Sequence, residues 1–166
     1  MKGRAVGKPA IPFSLNLQMQ QQEQTLWCWA AVSVSVKHFF DASSPLLQCE
    51  QAMSQSDGKP CCADPDPCNH DGFLMAALQR LDVFRELVQS SVPFERVSEE
   101  IQAKSPVCCR IEWPDQAGHF VCIDGYEGRT LFVKDPWYGS SRVPYDEFAA
   151  RYLGRGKWTH TYFTKP

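Results

Sequence analysis

An α+β fold is what the sequence predicts, on three observations. Apolar residues recur at helical spacing over Phe73–Leu81 and again over Phe94–Ile101. Short runs rich in Val, Ile, Phe and Cys follow at Val107–Glu112, His119–Tyr126 and Thr130–Lys134. The two classes are segregated along the chain rather than alternating, which argues for helices packed on an antiparallel sheet and against a parallel α/β fold.

The 166 residues fit one domain with a sizeable core, and 43% hydrophobic content is a globular value. A net charge of −2 with scattered Lys and Arg gives no pull toward nucleic acid or an anionic membrane, so neither is expected as a partner. No stretch approaches the roughly 18 uninterrupted apolar residues of a membrane span. Residues 1–14 carry Lys2, Arg4 and Lys8 but no apolar core before Pro9 and Pro12, so no cleavable signal is expected there. Secretion or delivery into a target cell would then have to proceed without one. Residues 1–19 are expected to be an extension or linker, and residues 20–166 the domain.

The first element is ambiguous. In Ala30–Phe40, Val32-Ser33-Val34-Ser35-Val36 alternates as a strand does, yet Ala30, Ala31 and Val34 equally accept a helix. Leu46–Met53 is a short helical candidate. Phe73, Leu74, Ala77, Leu78 and Leu81 mark one helix face, with Asp71 as the expected N-cap. Phe94, Val97 and Ile101 mark another, which must stop before Pro106. Glu127-Gly128-Arg129 reads as a hairpin turn. Tyr145, Phe148, Ala149 and Tyr152 form a last helical face ended by Gly154, and Trp158–Phe163 is a closing strand.

There are eight cysteines. Cys108, Cys109 and Cys122 lie in strand-like text and read as core hydrophobes. Cys49, Cys61, Cys62 and Cys68 cluster around the Pro/Asp/Gly/Asn-rich segment Ser54–Gly72. Zinc ligands usually pair as Cys-x2-4-Cys, and neither the adjacent Cys61-Cys62 nor the longer gaps match that spacing. Disulfides stapling a long loop fit better; metal, with His70 as an added ligand, and free thiols are the alternatives. No metal or other cofactor is expected.

The remaining cysteine stands in Gln22-Glu23-Gln24-Thr25-Leu26-Trp27-Cys28-Trp29-Ala30-Ala31, between two tryptophans at the mouth of the apolar segment. A thiol attacks a carbonyl as thiolate, and a helix N-terminus or an imidazolium promotes that form. His119, after Gly118, can take the thiol proton and return it to a leaving amine, and the glycine leaves room for a substrate backbone. Asp135 ends the other strand of the predicted hairpin, which would bring it beside His119 to hold the second imidazole nitrogen. Trp137 would shield that hydrogen bond from water. Gln22, together with the backbone N–H of Cys28, could donate to an oxyanion. Each residue alone has an ordinary structural explanation. The set, in this order, is what acyl transfer through a thioester requires.

Gln22-x5-Cys28-Trp29-Ala30, Gly118-His119-Phe120 and Asp135-Pro136-Trp137 resemble the papain-like cysteine peptidases, in particular a compact bacterial branch with a Trp-Cys-Trp-Ala-Ala signature. The likeness runs from about Gln20 to the C-terminus. It implies a papain-like arrangement, with Cys28 starting a central helix that covers Ala30–Phe40 and packs on an antiparallel sheet carrying His119 and Asp135. Larger relatives use Asn where Asp135 stands. The branch includes effector proteases injected into host cells, so the resemblance implies a thiol endopeptidase of effector or toxin type. A protein or peptide substrate and a cognate inhibitor or immunity protein would be its partners. Transglutaminase- or deamidase-like transfer from Gln side chains, using the same Cys-His-Asp set, is the competing chemistry.

Overall fold

In a computed structural model of the chain, residues 10–166 are described. The element order is β1 (Phe13–Ser14), α1 (Cys28–Phe40), α2 (Gln48–Met53), a 3-10 turn (Asp66–Cys68), α3 (Leu74–Arg80), β2 (Phe84–Val88), α4 (Phe94–Gln102), β3 (Val107–Glu112), β4 (Gly118–Glu127), β5 (Thr130–Asp135), β6 (Gly139–Pro144), α5 (Tyr145–Arg151) and β7 (Lys157–Thr164). One antiparallel sheet runs in the order β2-β7-β3-β4-β5-β6, with β1 added to β4. The fold is α+β, with the helices of the first half packed against this sheet.

Helix α1 resolves the ambiguity of Ala30–Phe40 in favour of the papain-like arrangement. Every residue from Cys28 to Val36 is buried, so the helix is enclosed on all sides and has no polar face to reveal its period. The serines that mimic strand alternation are satisfied inside the helix. Ser33 Oγ donates to Ala30 O (3.0 Å) and Ser35 Oγ to Ala31 O (2.7 Å). Their oxygens also accept from neighbours: Ser33 from Gln51 Nε2 (3.2 Å) and Ser35 from the Gln20 backbone N–H (2.9 Å). The two serines thus fasten α2 and the chain before Cys28 onto the central helix.

The sheet separates two hydrophobic cores. Cys108, Phe120, Cys122 and Tyr162 face α1, with Trp27, Trp29 and Leu78. Cys109, Ile111, Val121, Ile123 and Val133 face the other way, toward Ile101, Phe148, Tyr152 and Trp158. Cys108, Cys109 and Cys122 are therefore buried thiols, as their apolar context implied. The β4–β5 hairpin turns at Gly128, whose φ of +59° suits a residue without Cβ.

Two expectations need correction, and three strands were unforeseen. The packed fold begins before residue 20: Phe13 and Ser14 pair with Tyr126 and Gly125, and Leu17 is buried with its N–H on Asp124 Oδ2 (3.0 Å). Only residues 1–9 of the expected extension lie outside the described residues. Asp71 does not cap α3; the cap position is Phe73, without a side-chain cap bond, because the chain before the helix is held by Gln55, whose Oε1 accepts Phe73 N–H (2.8 Å). Strands β1, β2 and β6 had no sequence signal. Strand β1 has only two residues, and β2 and β6 are the sheet edges, where charged and small polar residues replace alternation.

The four loop cysteines form two disulfides, Cys49–Cys62 and Cys61–Cys68, which leaves none of them as a thiolate ligand. The adjacent cysteines pull the loop two ways, toward α2 and toward the 3-10 turn. The loop they fix supports the helix start: Trp27 Nε1 donates to Cys68 O (2.8 Å), Trp29 Nε1 to His70 O (3.2 Å), and Leu26 N–H to Asn69 Oδ1 (2.9 Å). Gly72 lies so close to Trp29 that an added Cβ would stand 2.2 Å from the indole. Reduction opens both bridges, each worth about 2.5–3 kcal/mol on the chain-entropy estimate, and is expected to lower Tm by about 10 °C or more. Thermal melts with and without a phosphine reductant check this; an unchanged Tm would mean the bridges do not contribute.

Candidate active site

Cys28 is the first residue of α1, at the base of a cleft and 6% exposed. The first helical return bond is Ala31 N–H to Trp27 O (2.9 Å), so helix geometry leaves the N–H groups of Cys28, Trp29 and Ala30 outside the ladder. That end of the helix carries partial positive charge beside the thiol.

His119 enters from β4 and Asp135 from the end of β5, as the hairpin predicts. His119 Nε2 lies 2.8 Å from Asp135 Oδ1. With Nε2 so engaged, Nδ1 is the nitrogen left for Cys28. Asp135 is buried, and both its oxygens are used. Oδ1 also accepts the backbone N–H groups of Trp137 (2.8 Å) and Tyr138 (2.9 Å), while Oδ2 accepts Tyr152 Oη–H (2.9 Å). Burial alone would raise the pKa of Asp135, but the His119 hydrogen bond and charge, with the two backbone donors, hold it below the usual carboxylate value. Burial likewise pushes His119 down, yet hydrogen bonds to Asp135 and Cys28 and their charges prevail and raise it to about 9. An imidazolium stabilised this far is a partner for a thiolate.

Gln22 lies in the same cleft, tethered by its backbone N–H to Pro136 O (2.9 Å) just past Asp135. Its side-chain amide is turned away from an oxyanion and toward its own loop, with Nε2 donating to Gln24 O (2.9 Å) and Thr25 O (2.8 Å). Reversing the amide would set its oxygen against two carbonyls, so the assignment is fixed by the network. To reach an oxyanion, one N–H must leave its carbonyl.

The two supporting residues, Gly118 and Trp137, both line the cleft. Gly118 lines both hollows beside Cys28, and an added Cβ there would also stand 3.0 Å from Arg110 Nε, so the position accommodates a guanidinium as well. Trp137 supplies a backbone donor to Asp135 and, 48% exposed as a residue, lies at the cleft rim. The ring against the imidazole belongs to Trp113, stacked on His119 at 5.8 Å between centroids, with Tyr138 edge-on at 6.1 Å. Trp113, Tyr138 and Tyr152 were missed by sequence reasoning because each sits in text that reads only as turn or core. Asp124, a buried carboxylate on β4, accepts Leu17 N–H and lies 3.8 Å from Lys134 Nζ.

Cys28 lies between two hollows. One, about 680 Å³, runs along Trp29, Gly72, Phe73, Leu87, Phe120 and Tyr162. The other, about 240 Å³, lies on the His119 side against Leu26, Trp113, Trp137 and Tyr138. Among the described residues no group of three or more His, Cys, Asp or Glu side chains could hold a metal ion, and no helix is long and apolar enough to cross a membrane.

No curated protein matches the chain. Among solved structures it is similar to the peptidase domain of Streptococcus ComA, a bi-functional ABC transporter, with a TM-score of 0.66 at 14% identity over 91% of this chain and 99% of that one. A putative C39-like peptidase from Bacillus anthracis gives 0.63 at 14% identity, covering 94% and 98%. A double glycine motif protease from an AMS/PCAT transporter, in complex with the leader peptide, gives 0.55 at 18%, covering 95% and 98%. At these identities the likeness shows a shared fold. The family model described as papain-like cysteine protease AvrRpt2 matches residues 10–153, most of the chain, and with it the chain belongs to that family of papain-like cysteine proteases.

Proposed function

We propose that the protein is an endopeptidase that cleaves main-chain amides through a thioester on Cys28, with His119 as base and then acid and Asp135 as its orienting carboxylate. The observation that carries this is the thiol at the α1 N-terminus sharing one cleft with His119, itself hydrogen-bonded to Asp135, at the junction of two hollows. A cleft that continues on both sides of the nucleophile suits a chain passing through it, whereas a side-chain amide needs only one blind pocket.

In the first step the Cys28 proton passes to His119 Nδ1 and the thiolate sulfur bonds to the carbonyl carbon. The oxyanion that forms faces the free N–H of Cys28 and the positive end of α1. Gln22 would add a second donor by releasing Gln24 O or Thr25 O. Collapse breaks the C–N bond while the imidazolium gives its proton to the leaving amine. Water then attacks the thioester, losing a proton to His119. The acid departs and the proton returns to Cys28.

A peptide library digested by wild type and by Cys28→Ala, read by mass spectrometry, tests the assignment. New N-termini are expected in the wild-type digest alone. Ammonia release and amine incorporation at Gln residues without chain cleavage would instead assign the transglutaminase- or deamidase-type reaction. An effector or toxin role, with a cognate inhibitor, is a further proposal resting on family likeness alone.

A further inference from the structure

Asp135 Oδ1 serves three donors, whereas Oδ2 has one, the hydroxyl of Tyr152. Tyr152 follows the last residue of α5, is fully buried, and is held edge-on by Phe148 at 5.2 Å between centroids. Its backbone is also fixed, by a β-bridge to Gly156 whose N–H donates to Tyr152 O (2.8 Å). The same ring stacks on Trp113 (6.4 Å, 20° between planes), and Trp113 stacks on His119 (5.8 Å, 23°). Arg155 closes this stack, with its guanidinium 4.8 Å from the centre of Trp113. One side chain therefore reaches the His119–Asp135 pair by two routes, a hydrogen bond to the carboxylate and a ring stack to the imidazole.

We propose that Tyr152 is a positioning residue for the reaction: its hydroxyl fixes and moderates Asp135, and its ring, through Trp113, fixes the plane of His119. This rests on the roles assigned to Cys28, His119 and Asp135 above. Burial beside a carboxylate raises the pKa of Tyr152, so the group remains a donor throughout the working range. A donor on Oδ2 draws charge away from the oxygen that faces His119. Without it, Asp135 would hold the imidazolium proton more tightly and the carboxylate would lose its only anchor on that side.

Tyr152→Phe keeps the ring and removes the hydroxyl. The expected result is a fall in kcat of about tenfold, with KM within about twofold, as for the loss of one hydrogen bond to a charged group near the reacting atoms. The alkaline limb of the pH profile should also move upward. A residue that only stabilised the fold would reduce the active fraction and leave the limb in place. Deprotonation of His119 is also read without any peptide, as the alkaline inflection in the rate of Cys28 alkylation by iodoacetamide against pH, because the thiolate reacts differently once the imidazolium beside it loses its charge. That measurement stands even where the peptidase reading fails. An alkylation limb that stays put or moves down in Tyr152→Phe overturns the proposal. If that variant does not fold, Trp113→Phe tests the ring route: a drop in kcat with the limb unmoved supports it, and wild-type kcat refutes it.

Discussion

Alanine at Cys28 or at His119 is expected to abolish peptide cleavage, a loss of about 10³-fold or more, while leaving a folded protein. Both side chains lie at a cleft and neither is wedged into a sealed core. Cys28→Ala removes one sulfur at the helix mouth, and α1 keeps its buried length from Trp29 to Val36. His119→Ala deprives Asp135 of one donor but leaves the N–H groups of Trp137 and Tyr138 and the Tyr152 hydroxyl. Peptide turnover and circular dichroism on the two variants check this together. Cleavage surviving in either variant would remove that residue from the site, and collapse of both folds would make the pair structural.

Asp135→Asn and Asp135→Ala separate charge from geometry. In the Asn variant the side-chain oxygen can still accept from His119, Trp137 and Tyr138, and the amide nitrogen can donate to the Tyr152 oxygen. The arrangement survives while the charge is lost. His119 is held at about 9 by Asp135 and Cys28 acting against burial, so removing the carboxylate charge lets it fall toward its ordinary 6.5. The active ion pair needs protonated His119, so the alkaline limb of kcat/KM should move down, opposite to the direction expected for Tyr152→Phe. In the Ala variant four donors lose their acceptor in a buried place, which costs stability as well as rate. Activity should therefore rank wild type, Asn, Ala. Equal, near-zero rates for Asn and Ala would show that the charge itself is indispensable. Full activity in Ala would take Asp135 out of the site, and the occupied Asp124 offers no ready substitute.

The parts of the site legible in the sequence were those whose chemistry is unusual for their surroundings. A thiol between tryptophans, a histidine after glycine and a carboxylate closing a hairpin strand stand out from apolar text, and the hairpin could be read from Gly128. Tyr152 and Trp113 did not stand out, because a buried aromatic at helical spacing is ordinary core until its hydroxyl or ring is seen to meet a polar partner. Trp137 stands two residues beyond Asp135 and so draws the eye in the sequence, whereas the ring stacked on His119 is Trp113, from the turn between β3 and β4. Helix α1 was illegible locally for the reason that makes it central. A helix buried all round loses the polar stripe that marks its period, and its serines imitate a strand.

The two cores on either side of the sheet give the site two separate foundations. The thiol is carried by a helix embedded in the core with Trp27, Trp29 and Leu78, whereas Asp135 and the rings behind His119 belong to the side with Phe148, Tyr152 and Trp158. The gap between sulfur and imidazole is accordingly a property of how the packing on the two faces of one sheet meets, like the gap between the jaws of pliers rather than the depth of a hole drilled in one block. A substrate lying across the cleft touches both jaws, and its own binding helps to hold them in register. Sequence drift deep in either core, far from any reacting atom, can open or close that gap and so retune the rate without altering a single residue that meets the substrate.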